Sequence, residues 1–346
     1  MVRSWAVACK RRHFPLRTKA FPMDAPAPQQ LKPRHSRLAR GAFNPGDVLK
    51  AYLLLAFTML CWGANSVAGR LAVGQVSPMV IVCLRWAIVA AILAGVVWRG
   101  LVLAWPELRR SWRRIVLMAL AGFSIFNALY YLAAHHTTAV NMSLLQGSVP
   151  ILVVSGALVL HRTGIGLVQL LGIAATLIGV AVVATSGHLA TLAAFRLNLG
   201  DGLILIACFL YAGYTLALHN RPNVPGLVLF AAMAIAAFVS SLPLLGYEVL
   251  TRTVQWPTWA GWEILGFIGL FPSFLAQLSF MRAVQLIGPG RAGLFINLVP
   301  LFGALLAVLI LREPFALFHL VALVLIIGGI LAAEVFGRPK ARGFEP

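Results

Sequence analysis

Acidic residues are scarce in this chain: nine Asp and Glu stand against 28 Lys and Arg, for a net charge of +19 over 346 residues. All nine, Asp24, Asp47, Glu107, Asp201, Glu248, Glu263, Glu313, Glu334 and Glu345, fall away from the midpoints of the apolar stretches. A proton-driven exporter of cationic drugs needs a buried carboxylate that takes substrate and proton in turn, so that mechanism is disfavoured. Cysteine is equally sparse. Cys9, Cys61, Cys83 and Cys208 share no paired spacing and three lie in apolar stretches, so they read as packing residues, not as disulfides or metal ligands. Of the eight histidines, only His135 and His136 are adjacent, at a loop where they either sense pH or simply sit at an interface. The rest are scattered without metal-site spacing, and neither metal nor cofactor is expected. Long polar connections are missing too. The longest runs about 15 residues, which leaves no room for a soluble catalytic domain between residues 50 and 336, and no nucleophile, acid–base pair or metal cluster gathers there. The chain reads as non-enzymatic.

What fills the chain is hydrocarbon: 60% of residues are hydrophobic, 11% charged, and the mean hydropathy is +0.89. Soluble domains carry about 25% charged residues. Crossing about 30 Å of lipid at 1.5 Å per residue takes about 20 apolar residues. That ruler gives ten spans, at roughly 49–69, 77–97, 115–134, 139–159, 165–185, 200–218, 225–245, 261–281, 290–311 and 315–335. Residues 51–184 can be laid on 201–334 at a constant offset of 150, pairing Pro150 with Pro300, Gly63 with Gly213, Trp112 with Trp262, Arg162 with Arg312, Gly179 with Gly329 and Asn127 with Gln277. Matches of Pro, Trp, Arg and amide at one register point to a duplicated unit. Five spans per half make the second half enter the membrane from the opposite side, so the expected fold is all-α, two inverted five-helix repeats. The parts are a disordered basic tail over 1–48, repeats over 49–185 and 200–335, and a short basic C-tail over 336–346.

The surplus of positive charge tempts a nucleic-acid reading, but topology explains it better. Eleven of the Lys and Arg lie in residues 1–50, up to the start of the first span, and with that end inside, later inside loops and the C-tail hold twelve against four outside, Arg70, Arg196, Arg252 and Arg312. Both termini are expected to be cytoplasmic. The first 46 residues lack an apolar run long enough for a signal peptide, and translation starts at either Met1 or Met23.

The run from Gly288 to Pro300, followed by Leu311-Arg312-Glu313-Pro314, resembles the second repeat of EamA-type transporters of the drug/metabolite transporter superfamily. Trp62 to Ser66, Pro78 with Arg85-Trp86, Tyr131 to Ala134 and Gly200-Asp201-Gly202 agree in order and spacing. Family members often carry Gly-Glu after the fourth and ninth spans, where this chain has His161-Arg162-Thr163 and Arg312-Glu313; that makes Glu313 a helix-end residue rather than an obligatory transport group. The resemblance implies a basket enclosing a central cavity lined by spans 1, 3, 4, 6, 8 and 9, with 5 and 10 peripheral, in a bacterial inner membrane.

Candidate cavity residues are Asn65, Ser66, Asn127, Tyr131, Gln146, Tyr211, Tyr214, Gln277 and Asn297, polar groups that meet either a substrate or a neighbouring helix. Arg85 is the one ionised side chain deep in a span. It is either a helix-packing arginine bonded to backbone carbonyls or the counter-charge for a substrate carboxylate. Pro150 and Pro300 kink their helices, setting shape or freeing carbonyls. Gly288 to Gly293 is expected to form a tight turn. Small residues on spans 5 and 10, Ala175 with Gly179 and Gly328 with Ala332, allow close approach inside the chain or in a homodimer. The expected function is secondary transport by alternating access, exporting small metabolites such as amino acids; the alternatives are a membrane sensor or scaffold, or a carrier of nucleosides, drugs or polyamines. The expected partners are a small-molecule substrate and the lipid bilayer.

Overall fold

A computed structural model describes residues 45–161, 166–187 and 198–332, and every regular element among them is helical. Among the described residues, nine helices are long and apolar enough to cross a membrane: α1 (Pro45–Leu71), α2 (Pro78–Leu103), α3 (Trp112–Ala133), α4 (Ala139–Ala157), α5 (Leu167–Ala184), α6 (Leu199–Asn220), α7 (Gly226–Leu250), α8 (Trp259–Ile287) and α9 (Arg291–Leu311). A shorter apolar helix, α10 (Leu317–Leu331), follows. Its 15 residues rise about 22 Å, short of the hydrocarbon thickness, and residues 333–335 of the expected tenth span lie outside the described residues.

Two boundaries differ from the sequence reading. Residues 45–48 belong to α1, not to the tail: Pro45 presets φ for a first helical turn and Asp47 complements the helix dipole there. The rest of the expected disordered tail, and the C-tail, lie outside the described residues. The turn expected over 288–293 is confined to Gly288, whose φ of +85° suits glycine, and the chain is helical again from Pro289.

Breaks within the helices recur at the repeat offset. A π-helical segment at Leu120–Ser124 in α3 is answered by one at Gly269–Leu275 in α8. In α8 the cause is Pro272, which has no N–H for the carbonyl of Ile268; the Ser273 hydroxyl donates to that carbonyl instead, at 2.5 Å. In α4 the helix breaks at Gly147–Ser148, just before Val149-Pro150; in α9 it tightens into a 3-10 turn at Ile296–Leu298, just before Val299-Pro300.

The packing partners follow the same register. α1 packs on α8 and α9, α6 on α3 and α4, α2 on α7, and α5 on α10. A Cβ on Gly179 would come 3.0 Å from the Ala322 carbonyl, and one on Gly329 would come 2.6 Å from the Gly172 carbonyl. Residues 172 and 322, like 179 and 329, are one offset apart, so the α5–α10 contact is made twice in reciprocal form. Gly179 is therefore committed to packing within the chain, while exposed Gly328 has open space around it.

Hydrogen bonds between loops sort the helix ends. Gln255 Nε2 donates to Gly74 O, Thr137 Oγ1 to Asp201 Oδ1, and the amides of Ala139 and Val140 to Glu313, which gathers these loops at one end, with Arg70, Arg252 and Arg312. Arg114 donates to Asn220 O at the other end, where Arg99, Arg109, Arg110, Arg113, Arg221, Arg282 and Arg291 also fall. The two ends are called arginine-poor and arginine-rich below.

At the arginine-poor end the side chain of His135 has its pKa pushed below the ordinary 6.5, first by partial burial and then by His136 and Arg70. A base with a lowered folded pKa leaves the unfolded chain binding more protons as pH falls through 6.5, so acid destabilises the fold. The expected result is a small loss of thermal stability between about pH 7 and 5 that His135→Gln reduces. An unchanged pH profile in that variant refutes this assignment.

Candidate functional site

A cavity of about 450 Å³ lies between the halves. It is lined by α1, α2, α3 and α4 from the first half and by α6, α7, α8 and α9 from the second. α2 and α7 therefore join the six spans expected, through Arg85, Trp86 and Phe230, while α5 and α10 contribute nothing. On α6 to α9 the lining residues run from the helix middles toward the arginine-rich end, including Leu218, Phe230, Phe280 and Gly293.

Seven of the nine sequence candidates are on this wall: Asn65, Asn127, Gln146, Tyr211, Tyr214, Gln277 and Asn297, together with Arg85, Pro150 and Pro300. Ser66 and Tyr131 are not; they are buried behind it. Asn65 and Ser66 are neighbours about 100° apart around α1, so one facing the cavity turns the other into the packing.

Ser66 and Tyr131 belong to a buried polar layer that floors the cavity on its arginine-poor side. Ser66 Oγ and Tyr130 OH are 2.7 Å apart, and Gln146 Nε2 donates to both, at 3.3 and 3.1 Å. Tyr131 OH donates to Asn65 Oδ1 at 2.9 Å and accepts from Arg85 Nη1 at 2.6 Å. The layer joins α1, α3 and α4 and leads to Arg85 on α2. Every one of these groups would cost free energy unpaired in a low-dielectric interior, so the layer holds as a unit.

Arg85 is 5% exposed and bonds to side chains, not to the backbone carbonyls expected of a packing arginine. Nη1 donates to Asn127 Oδ1 at 2.6 Å as well as to Tyr131; Nε and Nη2 both donate to Ser273 Oγ, at 3.0 and 2.6 Å. Trp86 and Tyr131 present their rings 5.2 and 5.7 Å from the guanidinium carbon. All these partners are neutral. Ser273 carries one usable sequence signal, its place after Pro272, within reach of the Ile268 carbonyl that the proline leaves without its α-helical partner.

Aromatic rings form much of the rest of the wall. Trp86 stacks on Phe123 at 4.4 Å; Phe123 meets Tyr214, Phe126 meets Tyr211, and Trp62 meets Phe280. Trp62 and Trp86 stand out in the sequence only as parts of the family motifs, and Phe123, Phe126 and Phe280 not at all, since an aromatic among apolar residues gives no signal of facing a cavity. Gly122 is what lets Tyr214 in: a Cβ there would come within 2.5 Å of the ring. Two residues of the wall have buried polar atoms with no protein partner. Asn297, 4% exposed, has neither amide atom bonded, and Trp86, 3% exposed, has an unbonded indole N–H. Pro300 acts by shape, since the Ile296 carbonyl nearby accepts from Val299 N–H in the 3-10 turn.

Toward the arginine-poor end the helices are tied by acids. Asp201, 1% exposed, accepts from Thr137 Oγ1 and from Asn141 Nδ2, while Asn141 Oδ1 is 3.3 Å from His319 Nε2. Ala316 N donates to His319 Nδ1, so the ring proton sits on Nε2, facing Asn141. Glu248 accepts from Ser77 Oγ and Met79 N at the start of α2. Among the described residues, no group of three or more His, Cys, Asp or Glu could hold a metal ion.

The sequence pattern of the EamA-like transporter family matches residues 49–185 and again 198–333. Among curated relatives, the uncharacterized transporters YyaM and YetK of Bacillus subtilis (strain 168) are 25% and 24% identical, over 83% and 82% of this chain and 94% and 87% of theirs. An uncharacterized transporter of Archaeoglobus fulgidus is 26% identical over 81% of this chain and 96% of its own. A solved crystal structure superposes with a TM-score of 0.60 at 20% identity, covering 83% of this chain and 98% of its own, a likeness of fold alone. Two matched copies spanning most of a helical, multi-pass membrane chain make it a member of the EamA-like transporter family.

Proposed function

We propose that this protein is a secondary transporter that exports small metabolites such as amino acids by alternating access, without catalysing a reaction. The observation that carries the reading is the cavity between two reciprocally packed repeats, floored by a buried polar layer on one side only. Ten helices in two inverted five-helix repeats would give the rocking motion that exposes such a site to each side in turn. The excess of arginine at one end supports placing that end, and both termini, in the cytoplasm, with the inner membrane as the location. On that orientation the cavity extends toward the cytoplasm, the side from which an exporter loads.

The test is counterflow in proteoliposomes loaded with a mixed pool of amino acids, nucleosides, sugars and polyamines, followed by mass spectrometry. Saturable exchange of one class is the expected result; silence from folded, inserted protein defeats the reading and favours a sensor. Gln277→Leu is expected to lower exchange about tenfold, the size of one lost substrate hydrogen bond of ~1.4 kcal/mol. Gln277 is a cleaner probe than Asn127, because Asn127 also donates to Phe123 O and accepts from Arg85.

A further inference from the structure

We infer that Arg85 forms a carboxylate subsite and that the cavity selects organic acids with an apolar or aromatic body, an amino group being tolerated but not required. The inference rests on the transporter reading and narrows it, from metabolites at large to those carrying a carboxylate.

Charge gives the first argument. A guanidinium stays protonated at any accessible pH, and a buried ion with no opposite charge is costly. Among the described residues, Arg85 has only Ser273, Asn127, Tyr131 and the Trp86 ring around it, all neutral, and no Asp or Glu lines the cavity. The missing negative charge is therefore expected from what occupies the cavity. An unused donor gives the second. Arg85 has five N–H groups and the four bonds above occupy four of them, leaving one on Nη2. That free donor and the positive charge suit an anionic acceptor and repel an ammonium. The remaining wall says what hangs on the carboxylate: the rings of Trp62, Phe123, Phe126 and Phe280 offer apolar faces, and nothing there demands a cation.

The experiment is equilibrium binding to purified protein in detergent, by calorimetry, with 3-phenylpropionate, phenylalanine and 3-phenylpropionamide. The two acids are expected to bind at least tenfold more tightly than the amide, with 3-phenylpropionate no weaker than phenylalanine. Arg85→Gln is expected to erase the preference for acid over amide, and Arg85→Lys, which keeps the charge, to retain part of it. Equal binding of acid and amide overturns the inference, as does phenylalanine binding far more tightly than 3-phenylpropionate, or failure of both acids to bind up to their solubility. The wild-type comparison decides the matter even if Arg85→Gln fails to fold. Acids that bind in detergent but show no counterflow would defeat the transporter reading while leaving the subsite intact.

Discussion

Replacing Gly303 by valine is expected to give a protein that fails to accumulate folded, because three helices meet at that residue. A Cβ there would stand 2.6 Å from Ser143 Cβ on α4 and 3.3 Å from the Gly63 carbonyl on α1. From the other side, a Cβ on Gly63 would come 2.7 Å from Gly303 N. Ser143 is fully buried and its hydroxyl donates to Ala139 O, so it has no room to swing away. Even Gly303→Ala is expected to cost about 1–3 kcal/mol, the range for overpacking a close-fitted interior. The double variant Gly303→Ala with Ser143→Gly should recover most of that loss, since only the contact with the Gly63 carbonyl then remains. Thermal unfolding in detergent, read by size-exclusion chromatography after heating, measures both. Gly303→Val melting with the parent, or no recovery in the double variant, would show that the helices separate there more easily than their packing indicates.

The second large effect is expected at Glu313. Its two carboxylate oxygens accept from Ala139 N and Val140 N, each at 2.9 Å, and Thr138 Oγ1 accepts from Asn141 N at 3.2 Å. Between them, three of the amides that open α4 without an intrahelical partner are satisfied, two of them by a side chain 173 and 174 positions away. Glu313→Ala strands both amides and removes a negative charge from a helix N-terminus, at an expected cost of about 1–3 kcal/mol. Glu313→Gln keeps one acceptor and loses the charge, so it should fall between the two. The ordering of melting temperatures, parent above Gln above Ala, is the readout. Equal melting of parent and Ala variant would remove the capping role and reopen a direct role in transport.

The repeat was legible because Pro, Trp, Arg and amide positions are hard to match by accident, and the same offset reappears in helix breaks that hydropathy cannot register. Pro272 could have announced the break in α8; its counterpart in α3 is Gly122, which carries no such signal. Polar candidates were picked because any amide or phenol in an apolar stretch needs a partner, and that criterion cannot say whether the partner is a cavity or another helix. Tyr131 and Ser66 found protein partners, whereas Asn297 found none. The capping acids were legible only as acids near helix ends. Their partners lie more than 160 positions away, and no local pattern joins Glu248 to Ser77.

The three carboxylates that tie helices together at the arginine-poor end have a thermodynamic consequence. A carrier made of two identical inverted halves would have inward and outward conformers of equal energy, each the mirror of the other in sequence. Here Asp201, Glu248 and Glu313 correspond, one offset earlier, to Ala51, Trp98 and Thr163. None of those can accept hydrogen bonds as a carboxylate does, so on the proposed alternating-access reading the degeneracy is broken in favour of the conformer closed at the arginine-poor end. Each ~1.4 kcal/mol of bias multiplies the resting population tenfold. On that reading a substrate must bind the rarer conformer more tightly to reverse the ratio, which makes the empty carrier slow to return and exchange faster than net transport.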